Sequence, residues 1–119
     1  MKKNILVIDD DEEVLSILEE ILIYSNFEVK GMNQPDNLLR VITEFRPDLV
    51  LMDYRLSGVN GGEICRQLKS DQNLAYLPVV LISSYPSVME TFGDYGCDAF
   101  IAKPFGMNEL INCVNQCIA

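Results

Sequence analysis

The chain has no histidine, no tryptophan and only four cysteines. Without histidine and without a CxxC pair, a zinc site would need an unusual ligand set. Cys65, Cys97, Cys113 and Cys117 are therefore expected to be reduced structural thiols, as in a cytosolic protein. No apolar run approaches the ~20 residues of a membrane-spanning helix, and the short basic amino terminus leads directly into a strand rather than into a secretion signal. We expect a cytoplasmic protein that does not enter the membrane.

Positive charge is also scarce. Nine Lys and Arg residues stand against 18 Asp and Glu, which leaves a net charge of −9. Because such a surface is repelled by phosphate backbones, direct binding of nucleic acid is not expected. The apolar fraction of 49% is ordinary for a globular protein, and a chain of 119 residues is long enough to bury a core. We predict one domain over residues 1–119.

Short apolar runs alternate with amphipathic segments along the chain, a pattern typical of βα units and a parallel sheet. The runs are nearly continuous in apolar residues, which predicts strands buried on both faces. The predicted strands cover residues 5–8, 27–32, 49–52, 79–82 and 99–102. The predicted helices begin near residues 11, 35 or 36, 62, 87 and 107, and the one over 87–95 is intrinsically weak because of Pro86 and Gly93.

Polar residues follow four of these strands at the point where each strand ends. They are the three acids at 9–11, then Asp53, Ser83 and Lys103. The carboxyl ends of neighbouring parallel strands meet at one edge of the sheet, where open α/β sheets bind their ligands. A carboxylate cluster, an isolated carboxylate, a hydroxyl and an ammonium would together be able to hold a divalent metal and move a phosphoryl group.

Five motifs in this order resemble the receiver domain of bacterial two-component response regulators, over essentially the whole chain. They are Val7-Ile8-Asp9-Asp10-Asp11, Leu51-Met52-Asp53, Gly58 with Asn60-Gly61, Leu81-Ile82-Ser83-Ser84, and Ala102-Lys103-Pro104-Phe105. The resemblance implies an α/β fold of the flavodoxin-like, doubly wound (βα)5 type. Its five-stranded parallel sheet would have the order 2-1-3-4-5, as in a stand-alone receiver similar to the chemotaxis regulators.

The resemblance implies that Asp53 is the phosphoacceptor and that the acids around it bind a metal ion. Asp10 and Asp53, with the backbone carbonyl of Arg55, would bind Mg²⁺ or Mn²⁺ directly, and Asp9 would act mainly through a bridging water. Carboxylates this close repel one another unless a hard cation lies among them. The same acids could instead cap a turn or a helix N-terminus, and we expect Asp11 to be such a cap.

The resemblance also assigns roles to residues at the ends of the last two strands. Lys103 would reach over Asp53 and pair with the phosphoryl oxygens, aimed inward by a cis bond to Pro104. The hydroxyl of Ser83 would bond a phosphoryl oxygen once one is present. If the other motifs were not present, Lys103 would be read as an ordinary solvated residue at a strand end. Ser83 alone would indicate no particular function.

Four further positions are expected to affect the site or the loop beside it. Phe100 would be the switch aromatic, which swings inward when Ser83 moves; a simple core aromatic is the alternative. Arg55 and Tyr85 would flank the path of an attacking water and slow hydrolysis of the acyl phosphate. Ser57 replaces the proline that is frequent before Gly58 in the family, so this loop should be less rigid.

The function implied is that of a signalling module rather than an enzyme. A sensor histidine kinase or histidine phosphotransfer protein would supply the phosphoryl group, and a protein target would bind the face made by the fourth helix, fifth strand and last helix. Weak homodimers through that face are common in the family. The alternatives are a phosphatase of the haloacid dehalogenase type, a small flavin-binding module, and a receiver-like partner that signals without phosphate.

Overall fold

The structure, a computed structural model, describes residues 1–85, 87 and 95–119. The strands of this part are β1 (Asn4–Ile8), β2 (Glu28–Met32), β3 (Leu49–Asp53), β4 (Arg55–Leu56), β5 (Val59–Asn60), β6 (Val79–Ser83) and β7 (Ala99–Ala102). Its helices are α1 (Glu12–Tyr24), α2 (Leu38–Phe45), α3 (Gly61–Ser70) and the C-terminal helix (Met107–Ile118). The helix expected over 87–95 falls largely outside the described residues. None of the described helices is both long and apolar enough to cross a membrane.

Five strands form a parallel sheet in the order β2-β1-β3-β6-β7. Numbered among these five alone, this is the predicted order 2-1-3-4-5, and the flavodoxin-like fold is confirmed. β4 and β5 form a separate two-stranded antiparallel hairpin directly after β3. The carboxyl ends of β1, β3, β6 and β7 therefore lie along one edge of the sheet, as the sequence predicts.

The two faces of the sheet are covered by different helices, because successive side chains of a strand point in opposite directions. Leu6 and Ile8 of β1 belong to the core under α2 and α3. Ile5 and Val7 belong to the core under α1 and the C-terminal helix. All four side chains are fully buried, and each such burial stabilises the fold by about 1.5–3 kcal/mol.

Two helix starts show how local chemistry sets the boundaries. The side chain of Asp11 accepts hydrogen bonds from the backbone N–H groups of Glu13 and Val14, so the predicted cap of α1 is confirmed. The start of α2 was predicted too early, at residue 35 or 36. Asn37 has a left-handed backbone (φ 57°), which stops the helix from extending back beyond Leu38.

The loop expected around Gly58 is ordered as the β4–β5 hairpin, which the sequence analysis did not predict. Its turn places both Ser57 (φ 48°) and Gly58 (φ 87°) in the left-handed region. α3 then begins at Gly61, where a Cβ atom would lie only 2.3 Å from the backbone oxygen of Asp53. The absence of a side chain at Gly61 therefore lets α3 approach the end of β3 closely.

Candidate functional site

A crevice of about 300 Å³ lies at the carboxyl edge of the sheet. Side chains from the ends of β1, β3, β6 and β7 and from the β4–β5 hairpin surround it. The lining residues are Asp9, Asp10, Asp11, Asp53, Arg55, Ser57, Gly58, Ser83, Ser84, Tyr85 and Lys103. The structure thus brings together the acids, the hydroxyl and the ammonium that the sequence analysis placed at strand ends.

Lys103 forms ion pairs with two aspartates of this crevice. Its Nζ lies 2.8 Å from Oδ1 of Asp53 and 3.2 Å from Oδ2 of Asp9. Asp9 is fully buried and Asp53 is 8% exposed. Because one ammonium faces two buried carboxylates, the inner part of the crevice has an excess of negative charge when both are ionised.

Burial and pairing have opposite effects on these groups. Burial raises the pKa of Asp53 above its ordinary value, and the hydrogen bond and charge of Lys103 only partly offset this. Burial also tends to lower the pKa of Lys103, but the carboxylates of Asp53 and Asp9 outweigh it and raise that pKa. Lys103 therefore remains an ammonium at neutral pH.

Three carboxylates could hold a metal ion here. Asp9, Asp10 and Asp53 each offer an oxygen atom, and these atoms lie within 4.8 Å of one another. A set made only of oxygen donors with excess negative charge suits a hard cation such as Mg²⁺. The backbone N–H of Arg55 donates to Oδ2 of Asp53 at 3.2 Å. The role expected for the Arg55 carbonyl stays a prediction.

Asp10 is anchored by a contact that the sequence analysis missed. Its Oδ2 accepts hydrogen bonds from both the backbone N–H of Ser57, at 3.0 Å, and the Ser57 hydroxyl, at 3.2 Å. A proline at position 57 could offer neither donor. The departure from the family's frequent proline was the available signal, but it was interpreted only as a change in loop rigidity.

Ser83, which lines the crevice, and Phe100 lie on the neighbouring strands β6 and β7. The hydroxyl oxygen of Ser83, almost fully buried, accepts the backbone N–H of Tyr85 at 2.9 Å. Phe100 is half-buried, lies opposite Leu81 in the β6–β7 register and packs against the core on the α2 and α3 side. The Lys103–Pro104 bond is cis, as the resemblance implies.

Arg55 and Tyr85 contact each other at the mouth of the crevice. The guanidinium of Arg55 donates to the Tyr85 hydroxyl, and its Cζ lies 5.4 Å from the centre of the tyrosine ring. Each residue was expected to flank the path of the attacking water, but their contact with each other was not predicted. Together they join the hairpin after β3 to the loop after β6.

The chain belongs to a known signalling family. Residues 5–115 match the family model of the response regulator receiver domain. Receiver domains belong to two-component systems, accept phosphoryl groups and act as signalling domains rather than as enzymes in the usual sense. They bind Mg²⁺ at a cluster of aspartates, and Asp9, Asp10 and Asp53 form such a group.

Two curated relatives illustrate the range of this family. The chain is 34% identical over 113 residues to the DNA-binding response regulator MtrA of Mycobacterium tuberculosis, covering 93% of this chain but only 48% of the relative. The chain thus spans about half the length of its MtrA relatives. It is 28% identical over 118 residues to the polar-differentiation response regulator DivK of Brucella anthropi, covering 98% of this chain and 96% of the relative.

Solved structures have the same fold. A response regulator from Chloroflexus aurantiacus superposes with a TM-score of 0.93 at 25% identity, over 99% of this chain and 98% of that one. The BeF3-activated receiver domain of RstA from Klebsiella pneumoniae gives a TM-score of 0.87 at 25% identity, over 98% of both chains.

Proposed function

We propose that Asp53 accepts a phosphoryl group from a phosphohistidine, presented by a sensor histidine kinase or a histidine phosphotransfer protein. The observation that supports this best is the ion pair of 2.8 Å between Lys103 and Asp53 beside two further acids. A carboxylate is a weak nucleophile toward phosphorus, so the reaction depends on positioning and charge neutralisation. The buried carboxylate, the ammonium and the cation-binding oxygens supply these conditions.

The transfer exchanges one bond for another at phosphorus. An oxygen of Asp53 bonds to phosphorus while the bond from phosphorus to the histidine nitrogen breaks, and the nitrogen keeps the electron pair. Lys103, already an ammonium, neutralises charge on the phosphoryl oxygens. A bound Mg²⁺ would be held by Asp9, Asp10 and Asp53 and would neutralise charge on the same oxygens.

The phosphoryl group would change the charge and the hydrogen bonding around the neighbouring side chains. A phosphoryl group adds a charge of about −2 and three acceptor oxygens. The Ser83 oxygen accepts the N–H of Tyr85 at 2.9 Å, and its own hydrogen can be donated to a phosphoryl oxygen. Movement of Ser83 toward that oxygen would open space beside Phe100 on the neighbouring strand. The added charge would thus bias a two-state equilibrium.

The output surface would include β7 and the C-terminal helix, together with the helix expected over 87–95. A downstream protein target would bind this face, and a weak homodimer would form through it. The cytoplasm is the expected location.

The rival activities make different demands on the site. A phosphatase of the haloacid dehalogenase type needs an acid two residues after the nucleophile, whereas Arg55 occupies that position and contacts Tyr85. A flavin phosphate would meet the acids that follow β1. A partner module that signals without phosphate would not need the buried pairing of Asp53 with Lys103.

Incubation with acetyl phosphate and Mg²⁺, followed by intact-mass measurement, tests the proposal. We expect one added phosphate in the parent and in the exposed-site control Asp36→Asn, and none in Asp53→Asn. Sustained release of phosphate from monoesters would instead support the phosphatase. Failure of the parent to take up phosphate, while it remains folded and binds Mg²⁺, would contradict the proposal.

A further inference from the structure

Two buried cysteines lie in direct contact outside the crevice. The sulfur atoms of Cys65, on α3, and Cys97, just before β7, are 2.8 Å apart, although the residues are 32 positions apart in the chain. Both are free thiols, and the Cys97 thiol donates a hydrogen bond to Cys65. The separation is larger than the ~2.05 Å of a disulfide bond, so a small displacement would bring the sulfurs to bonding distance.

Other contacts hold the same two segments together. The ammonium of Lys69 on α3 lies 2.8 Å from Oδ2 of Asp98. Cζ of Arg66, also on α3, lies 5.1 Å from the ring centre of Tyr95. In the second segment these contacts lie on both sides of Cys97, so the closeness of the sulfurs does not depend on the thiols alone.

The hydrogen bond makes the two thiols chemically different. It holds the pKa of Cys65 below its ordinary value, while the same bond and burial raise the pKa of Cys97. The thiolate is the reactive form of cysteine, so Cys65 is the better nucleophile of the pair. By contrast, burial raises the pKa of Cys113 on the C-terminal helix to about 11.

We infer that Cys65 and Cys97 are a redox modification site, which forms a reversible intramolecular disulfide when a peroxide oxidises the protein. Access is from the side of Cys97, which is 9% exposed, whereas Cys65 is fully buried. Hydrogen peroxide is a small oxidant, and it would have to pass Cys97 to reach the Cys65 sulfur, which lies 2.8 Å from that of Cys97.

The reaction balances in two steps. The Cys65 thiolate attacks one peroxide oxygen, so that a sulfur–oxygen bond forms, the oxygen–oxygen bond breaks, and the leaving hydroxide becomes water by taking up a proton. The Cys97 sulfur then attacks the sulfenic acid at Cys65, the disulfide forms, and a second water leaves with the thiol proton. Two thiols are oxidised, and one peroxide is reduced to two waters.

The cross-link would join the two elements next to the candidate switch. α3 begins at Gly61, against the backbone of Asp53, and Cys97 lies just before the strand that contains Phe100. Closing a loop of this length restricts the unfolded chain, so the oxidised protein should resist urea to a higher concentration than the reduced protein.

The test uses the variant Cys113→Ser, Cys117→Ser, which leaves only the proposed pair. Trypsin separates the two remaining cysteines, because one peptide ends at Arg66 and the next cysteine lies in the peptide that begins at Ser70. After hydrogen peroxide and alkylation we expect a loss of two hydrogen atoms, one cross-linked peptide pair, a raised urea midpoint, and reversal of all three by dithiothreitol.

Three results would overturn the inference: uptake of oxygen atoms without a cross-link, full alkylation of both thiols after peroxide, or a disulfide between two molecules on a non-reducing gel. A further Cys65→Ser change should abolish the cross-link. The disulfide requires no phosphoryl chemistry, so it should form equally in Asp53→Asn. The inference and the proposed function can therefore fail independently.

Discussion

Lys103 reaches Asp53 across an intervening strand. Its Nζ lies 2.8 Å from Oδ1 of Asp53, yet β7 and β3 are not neighbours, because β6 lies between them. With strands about 4.8 Å apart, the two strand ends are separated by roughly 10 Å. A lysine stem can cover that gap, and it passes over the end of β6, where Ser83 lies. Only a long side chain could connect these two positions.

Lys103→Met should slow phosphorylation by acetyl phosphate about 100-fold, as is typical when a donor to a developing anion is lost. The same change removes the positive charge that lies against Asp9 and Asp53, so Mg²⁺ should bind more tightly. Mass spectrometry measures the first effect and calorimetric titration the second. Lys30→Met, at an exposed position on β2, is the matched control. Parallel loss of phosphorylation and of Mg²⁺ affinity would contradict this explanation.

Removing the contact at the mouth of the crevice should expose the acyl phosphate to water. The variant Arg55→Ala, Tyr85→Ala should lose its phosphate several-fold faster than the parent, measured as the decay of the phosphorylated mass after removal of the donor. Tyr76→Ala, at a strongly exposed tyrosine away from the crevice, should decay like the parent. Equal decay rates for the double variant and the parent would show that the pair does not shield the group.

Ser57→Ala should weaken Mg²⁺ binding, since it removes one of the two donors that hold Asp10. Loss of such an outer contact typically costs at least about tenfold in metal affinity. Ser57→Pro removes both donors and cannot adopt the left-handed backbone at this position, so it should have the larger effect. Nuclear magnetic resonance titration measures the affinity, with Ser16→Ala on α1 as control. An unchanged dissociation constant in both variants would refute the anchoring role.

Without divalent ions, Asp53→Asn should make the protein more stable at neutral pH. Burial raises the pKa of Asp53, so the folded protein binds this proton more tightly than the unfolded chain does. Stability therefore falls as the pH rises from the ordinary aspartate value through the raised one. Asparagine does not ionise and escapes this loss, so the gain should shrink as the pH is lowered.

Urea unfolding over a range of pH checks this, with Asp36→Asn as the exposed control. A variant that is less stable than the parent at pH 7, or a gain that does not change with pH, would be the contrary result. The first result would mean that pairing with Lys103 outweighs the cost of burying Asp53, and the second that the gain does not arise from ionisation of Asp53.

Most of the sheet was predictable, because four of its five strands are short apolar runs that end in a polar residue; β2 (Glu28–Met32) is the exception. Asp53, for example, directly follows three fully buried residues of β3, Val50, Leu51 and Met52. The start of α2 was not predictable in this way, because it depends on the left-handed backbone of Asn37. The β4–β5 hairpin was missed for a similar reason: two residues per strand give no periodicity to detect.

The sequence by itself determined the class of fold, the order of the strands and the edge at which Asp9, Asp53, Ser83 and Lys103 meet. The class of fold and the shared edge follow from local periodicity and from the common direction of parallel strands, which do not depend on side-chain detail. The order of the strands followed from the motifs that resemble the receiver family. The position of each residue along its strand therefore specifies which end of the sheet it occupies.

Only the tertiary structure decided which atoms touch. Ser57 contacts Asp10 across 47 positions and Arg55 contacts Tyr85 across 30, and neither contact has a periodic signal. The contact between the sulfurs of Cys65 and Cys97 is of the same kind. Each of these contacts depends on how two distant segments pack and on which rotamers the packing allows. The neighbouring residues in the chain specify neither the packing nor the rotamers.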